Sequence, residues 1–81
     1  MENTHTYYVN KNNGIVLRCL VTLTDDCELL TVVLQDNDIA GIFKFTTIHD
    51  RFYFNNIYGD EAINEQTAEQ LNKLVMESAG V

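Results

Sequence analysis

The 81 residues leave room for one small domain, and with 46% hydrophobic residues and no proline the chain is too apolar for a disordered tail. Twelve acidic against five basic residues give a net charge of −7. That balance argues against direct contact with nucleic-acid phosphates or anionic membranes and favours a basic protein as partner.

In chain order, Thr4–Asn10 reads as a first strand, followed by a turn at Lys11-Asn12-Asn13-Gly14. Asn13-Gly14 suits a type I′ hairpin turn because both residues tolerate positive φ. The loop length leaves open whether Tyr7 or Tyr8 faces inward. A second strand, 14–24, alternates Ile15, Leu17, Cys19, Val21 and Leu23 with Val16, Arg18, Leu20, Thr22 and Thr24. With Asp25-Asp26 as a two-residue turn, a third strand at 27–35 sets Leu23 opposite Glu28, Val21 opposite Leu30, Cys19 opposite Val32 and Leu17 opposite Leu34. The segment QDNDIAG closes with an even number of loop residues and leads into a fourth strand at 41–48. A tight turn at His49-Asp50 then opens a fifth strand, 51–58, with Phe52 opposite Thr47 and Phe54 opposite Phe45. After Gly59 the period changes to that of a helix, 61–79, with Asn64, Thr67, Ala68, Leu71, Leu74, Val75 and Ser78 on one face and Leu71, Leu74 and Val75 as its apolar centre. Either Asn64 or Asp60 can serve as its N-cap.

The predicted fold is therefore α+β, a five-stranded antiparallel β-meander with one face covered by a single C-terminal helix, in one domain spanning 1–81. On this reading the helix covers Leu17, Val21, Leu30, Val32, Leu34, Phe43, Phe45, Phe52 and Phe54. The opposite face carries Val16, Leu20, Leu29, Val33, Ile42, Ile48, Tyr53 and Ile57, interspersed with Arg18, Thr31, Lys44, Thr46 and Asn55. Half of it is apolar, more than a solvated antiparallel face carries. A helix of this length, about 10 Å wide, shelters one face at most. Large uncovered apolar patches mark interfaces, so Val16, Arg18, Leu20, Leu29, Val33, Ile42, Lys44, Ile48, Tyr53 and Ile57 are the interface candidates, and a homodimer is the simplest use of them.

No catalytic, cofactor or metal set stands out. The meander gathers Asp25, Asp26, Glu28, His49 and Asp50 at one end of the sheet and Asp36, Asp38, Asp60 and Glu61 at the other. These are the acidic contact candidates, although Asp and His are also ordinary turn formers. Asp36-Asn37-Asp38 opens like a calcium loop, but Ala40 and Thr47 fill its fifth and twelfth positions, where ligands are needed. Cys19 and Cys27 fall roughly 15 Å apart along the hairpin, beyond the roughly 7 Å that a disulfide spans. Two unpaired thiols suit a reducing cytoplasm. The start, MENTHTYYVN, lacks the basic and apolar regions of a secretory leader, and no apolar run reaches the roughly 18 residues of a membrane span.

In composition the chain resembles the small acidic single-domain proteins encoded by phages and other mobile elements. The function expected is that of a non-enzymatic interaction module, using its second sheet face to bind a partner or itself. Its acidic ends and helix surface could also occupy a basic, nucleic-acid-binding surface, in which case binding weakens steeply with salt. The alternative is a small-molecule binder or minor enzyme using His49 with its neighbouring carboxylates.

Overall fold

Alternating sequences make strands, but the residue count of each turn decides which face a strand shows. The computed structural model describes residues 4–11 and 13–79. It contains β1 (Thr4–Asn10), β2 (Val16–Leu23), β3 (Leu29–Gln35), β4 (Asp38–Ile48), β5 (Arg51–Gly59) and α1 (Glu61–Ala79). Each strand pairs antiparallel with the next, in the order β1-β2-β3-β4-β5. The fold is the α+β meander with one C-terminal helix that the alternation predicts.

Two hairpins close as two-residue turns with both central residues left-handed, Asp36-Asn37 (φ 51 and 72) and His49-Asp50 (φ 50 and 64). Aspartate and asparagine tolerate this region better than most side chains, and the turn's twist matches that of the flanking strands. The predicted pairings of Phe52 with Thr47 and of Phe54 with Phe45 follow from the second of these turns. At the first hairpin, Gly14 donates its N–H to the Lys11 carbonyl (3.0 Å) and is left-handed at φ 82. It therefore ends the turn rather than occupying its centre, while Asn12 lies outside the described residues. Tyr7 pairs with Cys19 and packs on the core, and Tyr8 pairs with Arg18 and faces out.

The structure corrects one strand. Leu23 pairs with Leu29, Val21 with Thr31 and Cys19 with Val33, one residue away from the predicted register. The β2–β3 loop is the cause. Thr24 N–H donates to the Glu28 carbonyl (2.8 Å) and Cys27 N–H to the Thr24 carbonyl (3.1 Å), which leaves three residues in the loop, with Cys27 left-handed at φ 62. An odd count turns β3 over: Leu30, Val32 and Leu34 face out, and Leu29, Thr31 and Val33 face α1. A bulge at Ala40 then restores the phase, since Leu34 pairs with Ile39 but Val33 with Gly41. Phe43 and Phe45 consequently reach the helix side as expected.

The helix begins where Asp60 Oδ1 accepts the Ile63 N–H at 3.1 Å, so Asp60 is the N-cap. Asn64, the other candidate cap, lies inside the first turn, because the helical bond from its own N–H to the Asp60 carbonyl (3.0 Å) is already made. Its side chain is buried against the sheet. Asp60→Ala is expected to lower stability by about 1 kcal/mol in urea unfolding.

The helix rests on β1, β4 and β5. Beneath it the core is Val9, Leu17, Cys19, Val21, Val33, Phe43, Phe45, Ala68 and Leu71. Four phenylalanines run through β4 and β5, with centroid separations of 5.5 Å (Phe43–Phe54), 5.9 Å (Phe45–Phe52), 6.0 Å (Phe43–Phe45) and 6.2 Å (Phe52–Phe54). Such close pairs, three tilted and Phe52–Phe54 stacked, add to the area that the rings bury. Thr31 is buried among these residues, and its hydroxyl has no hydrogen-bond partner. Removing an orphaned polar group while keeping the shape is favourable, so Thr31→Val is expected to raise urea stability by about 1 kcal/mol.

Candidate docking face

The sheet face turned away from α1 has no element of the described chain over it. Its side chains form rows across the strands. Thr6, Leu20, Val32, Ile42 and Tyr58 make the central row. On one side lies Tyr8, Arg18, Leu34 and Ile39, and on the other Thr4, Thr22, Leu30, Lys44 and Asn55. Tyr58 reaches its row because β5 bulges at Ile57, so that Ile42 pairs with Tyr58 while Phe43 pairs with Asn56. Tyr8 is 66% exposed, Tyr58 57%, Val16 53% and Ile39 52%, whereas Leu20, Leu30, Val32, Leu34 and Ile42 are half-buried by their neighbours in the sheet.

Among the predicted interface residues, Val16, Arg18, Ile48, Tyr53 and Ile57 are exposed and Leu20, Ile42 and Lys44 are half-buried. Leu29 and Val33 do not belong to this face. Both lie on the helix side, Val33 fully buried and Leu29 packed against the core, as the three-residue β2–β3 loop requires. Leu30, Val32 and Leu34 take their place, so the open face is more apolar than the sequence reading makes it. What misplaced them is the reading of Asp25-Asp26 as a two-residue turn where the loop holds three residues; Thr31, a polar residue in a position read as open, is buried.

The charges are segregated from this apolar surface. No carboxylate lies within β1, β2, β3 or β5, and β4 carries one only at its first residue, Asp38. Asp25, Asp26, Asp36, Asp38, Asp50, Asp60 and Glu61 are exposed and Glu28 is half-buried. Arg18 reaches toward the β3–β4 turn, with Nη2 3.5 Å from Asn37 Oδ1. At the other end a shallow depression of about 390 Å³ is lined by Asp26, Glu28, Lys44, Thr46, Tyr53 and Asn55 among others. His49 is not part of that lining; it sits exposed in the β4–β5 turn. The segment resembling a calcium loop is a two-residue turn followed by strand β4. Among the described residues no three His, Cys, Asp or Glu side chains gather so as to hold a metal ion.

The two thiols differ sharply. Cys27 is exposed and Cys19 buried, neither in a disulfide. Burial pushes the Cys19 thiol from its ordinary 9.0 to about 12. A raised thiol pKa favours the neutral form in the fold, so this contribution to stability is complete below pH 9 and is lost as pH rises toward about 12. Unfolding measured across that range is expected to be steeper in pH for the native chain than for Cys19→Ala, by at most about 1.4 kcal/mol per pH unit.

No helix among the described residues is long and apolar enough to cross a membrane. Compared with protein families, curated proteins and solved structures, the chain matches none.

Proposed function

We propose that this chain is a non-enzymatic protein-interaction module that docks through the open sheet face. The observation that carries this reading is the uncovered central row of Leu20, Val32, Ile42 and Tyr58, flanked by Leu30, Leu34 and Ile39. A contiguous apolar surface on so small a chain loses free energy to water unless something covers it. The carboxylate-free centre and acidic ends fit a surface that buries its middle and leaves its rim in solvent, as protein interfaces do. Two unpaired thiols suit a reducing, cytoplasmic setting.

A second reading has its own observation. Glu61, Glu65 and Glu69 are exposed at four-residue intervals and form a line of negative charge along α1 with a rise of about 6 Å per step. With the acidic turns, this line could occupy a basic, nucleic-acid-binding surface on a target. The readings separate in capture from an extract of the source cells using immobilised native chain, Val32→Lys and a Glu65→Lys/Glu69→Lys variant. Docking by the sheet requires a bound protein that Val32→Lys loses and the helix variant keeps, in high salt as well as low. Loss with the helix variant alone, or release by moderate salt, transfers the function to the acidic surface.

A further inference from the structure

The docking reading leaves the occupant of the open face unnamed, and charge, pattern and size point to one. We infer that a second copy of this chain covers it, as a two-fold, face-to-face sandwich centred on Val32. The inference rests on the docking reading above.

Charge comes first. At −7 the chain repels its copies at long range, yet the strands are free of carboxylates apart from Asp38 at the start of β4. Two open faces therefore meet without acid against acid at their centre. The basic residues of the face stand at diagonal corners. Arg18 is on β2 at the end where Asp36 and Asp38 lie, and Lys44 is on β4 toward the end of Asp26 and Glu28.

The pattern is self-complementary about an axis along β3. Turning one sheet over onto another in that way lays β2 on the second copy's β4 and leaves each row facing the same row. Leu20 then meets Ile42, and Leu30, Val32 and Leu34 meet themselves. Arg18 comes over Ile39, beside Asp38 of the second copy, and Lys44 over Thr22, whose strand leads into the acidic 25–28 loop. The same rotation brings the acidic turns of both copies to the same ends of the sandwich, and each corner cation then stands between its own acidic turn and that of the opposite copy. An isologous interface requires this of a single surface, that it complement its own rotated image.

Size sets the strength. Five strands about 4.8 Å apart and seven residues long, at about 3.3 Å each, offer roughly 550 Å² per copy once side-chain margins are included. The pair buries on the order of 1,100 Å², near the lower bound of specific interfaces and above ordinary lattice contacts. The dimer should therefore form in the micromolar range and dissociate on dilution. Because burial of apolar surface drives it and net charge opposes it, added salt should strengthen it.

Sedimentation equilibrium of the full chain across a dilution series tests this. The expected mass rises from 9.3 kDa toward twice that value with concentration, and further when sodium chloride is raised at fixed concentration. Val32→Lys should weaken association at least about a hundredfold, since it sets like charges against each other at the axis, while circular dichroism shows it folded. A second variant needs no loss of binding. In a Cys27→Ser background, Val32→Cys should link to its own copy under mild oxidation much faster than Met76→Cys on the exposed side of α1. A single-chain mass up to about millimolar concentration, where even weak dimers populate, would overturn the dimer. So would association that Val32→Lys leaves intact, or that salt abolishes, or Val32→Cys linking no faster than Met76→Cys. If the native chain stays single while Val32→Lys still loses a captured protein, the dimer falls and docking by the face stands. If Val32→Lys changes neither property, both fall.

Discussion

Val33→Lys is expected to unfold the domain, while Val32→Lys, one residue away in the same strand, is expected to leave it folded. Val33 is fully buried between β2 and β4, paired with Cys19 and Gly41. An ammonium placed there has no opposite charge within the core, and an uncompensated buried charge costs about 3–5 kcal/mol. Domains of this length have only about 4–12 kcal/mol in total. Val32 faces the open side, where a lysine stem lies along the sheet with its charge in water, and such surface changes stay within about 1 kcal/mol. Urea unfolding of the two variants reads the difference. The reverse ranking, Val32→Lys unfolded and Val33→Lys intact, would restore the register in which β3 shows its other face.

The second large effect concerns the contact between helix and sheet at Gly41. A Cβ at this position would lie 2.7 Å from Asn64 Cγ and 2.8 Å from Nδ2. Asn64 has no room to retreat, because its Nδ2 donates to the Tyr58 carbonyl at 2.6 Å and to Asn56 Oδ1 at 2.5 Å. Its Oδ1 is buried without a partner and is the Asn64 atom nearest to where that Cβ would lie. Gly41→Ala therefore overpacks the interface and breaks those bonds, at about 3 kcal/mol. Asn64→Ala removes the obstruction but takes its donor from the Tyr58 carbonyl and from Asn56 Oδ1, costing about 1–3 kcal/mol. Since one contact underlies both losses, the double variant should cost less than their sum by about 1–2 kcal/mol. Strict additivity in the double-mutant cycle would mean that the Asn64 side chain is not what Gly41 accommodates.

Much of this architecture can be read from the residues, and the part that cannot has a definite cause. His49-Asp50 marks its own turn, since both residues accept left-handed backbone and the phenylalanines on either side fix the phase. The helix face of Thr67, Ala68, Leu71, Leu74 and Val75 follows from its period. The β2–β3 loop gives no such signal. A three-residue loop needs a left-handed third residue, and here that residue is Cys27, where glycine or asparagine would have announced it. The Ala40 bulge is equally silent, and because it compensates for the loop the outer strands agree with a reading that misplaces the middle one. β3 itself, LLTVVLQ, is apolar on both faces, so its pattern cannot choose between them. Its single threonine favours the wrong choice.

The same ambiguity explains how much of the docking face was legible. Val16, Arg18, Leu20, Ile42 and Lys44 belong to strands whose phase the turns fix, and they lie where alternation puts them. Leu30, Val32 and Leu34 enter only through the register of β3, and Tyr58 through the bulge at Ile57. An excess of apolar strand surface over what one helix can shelter is visible in the composition of the strands. The identity of the surplus residues is set by two backbone irregularities.

The most direct test is methyl NMR with a soluble paramagnetic agent, run first at a dilution where the chain is single and then at high concentration. In dilute solution the methyls of Val16 and Ile39 should be strongly relaxed, that of half-buried Val32 clearly more than that of Val33, and those of Leu17, Val33 and Leu71 protected. At high concentration Val32 should become protected while Met76 on the helix stays accessible. Protection of Val32 in the single chain, or relaxation of Val33, would contradict the account, because no open apolar face would then remain for a partner to cover.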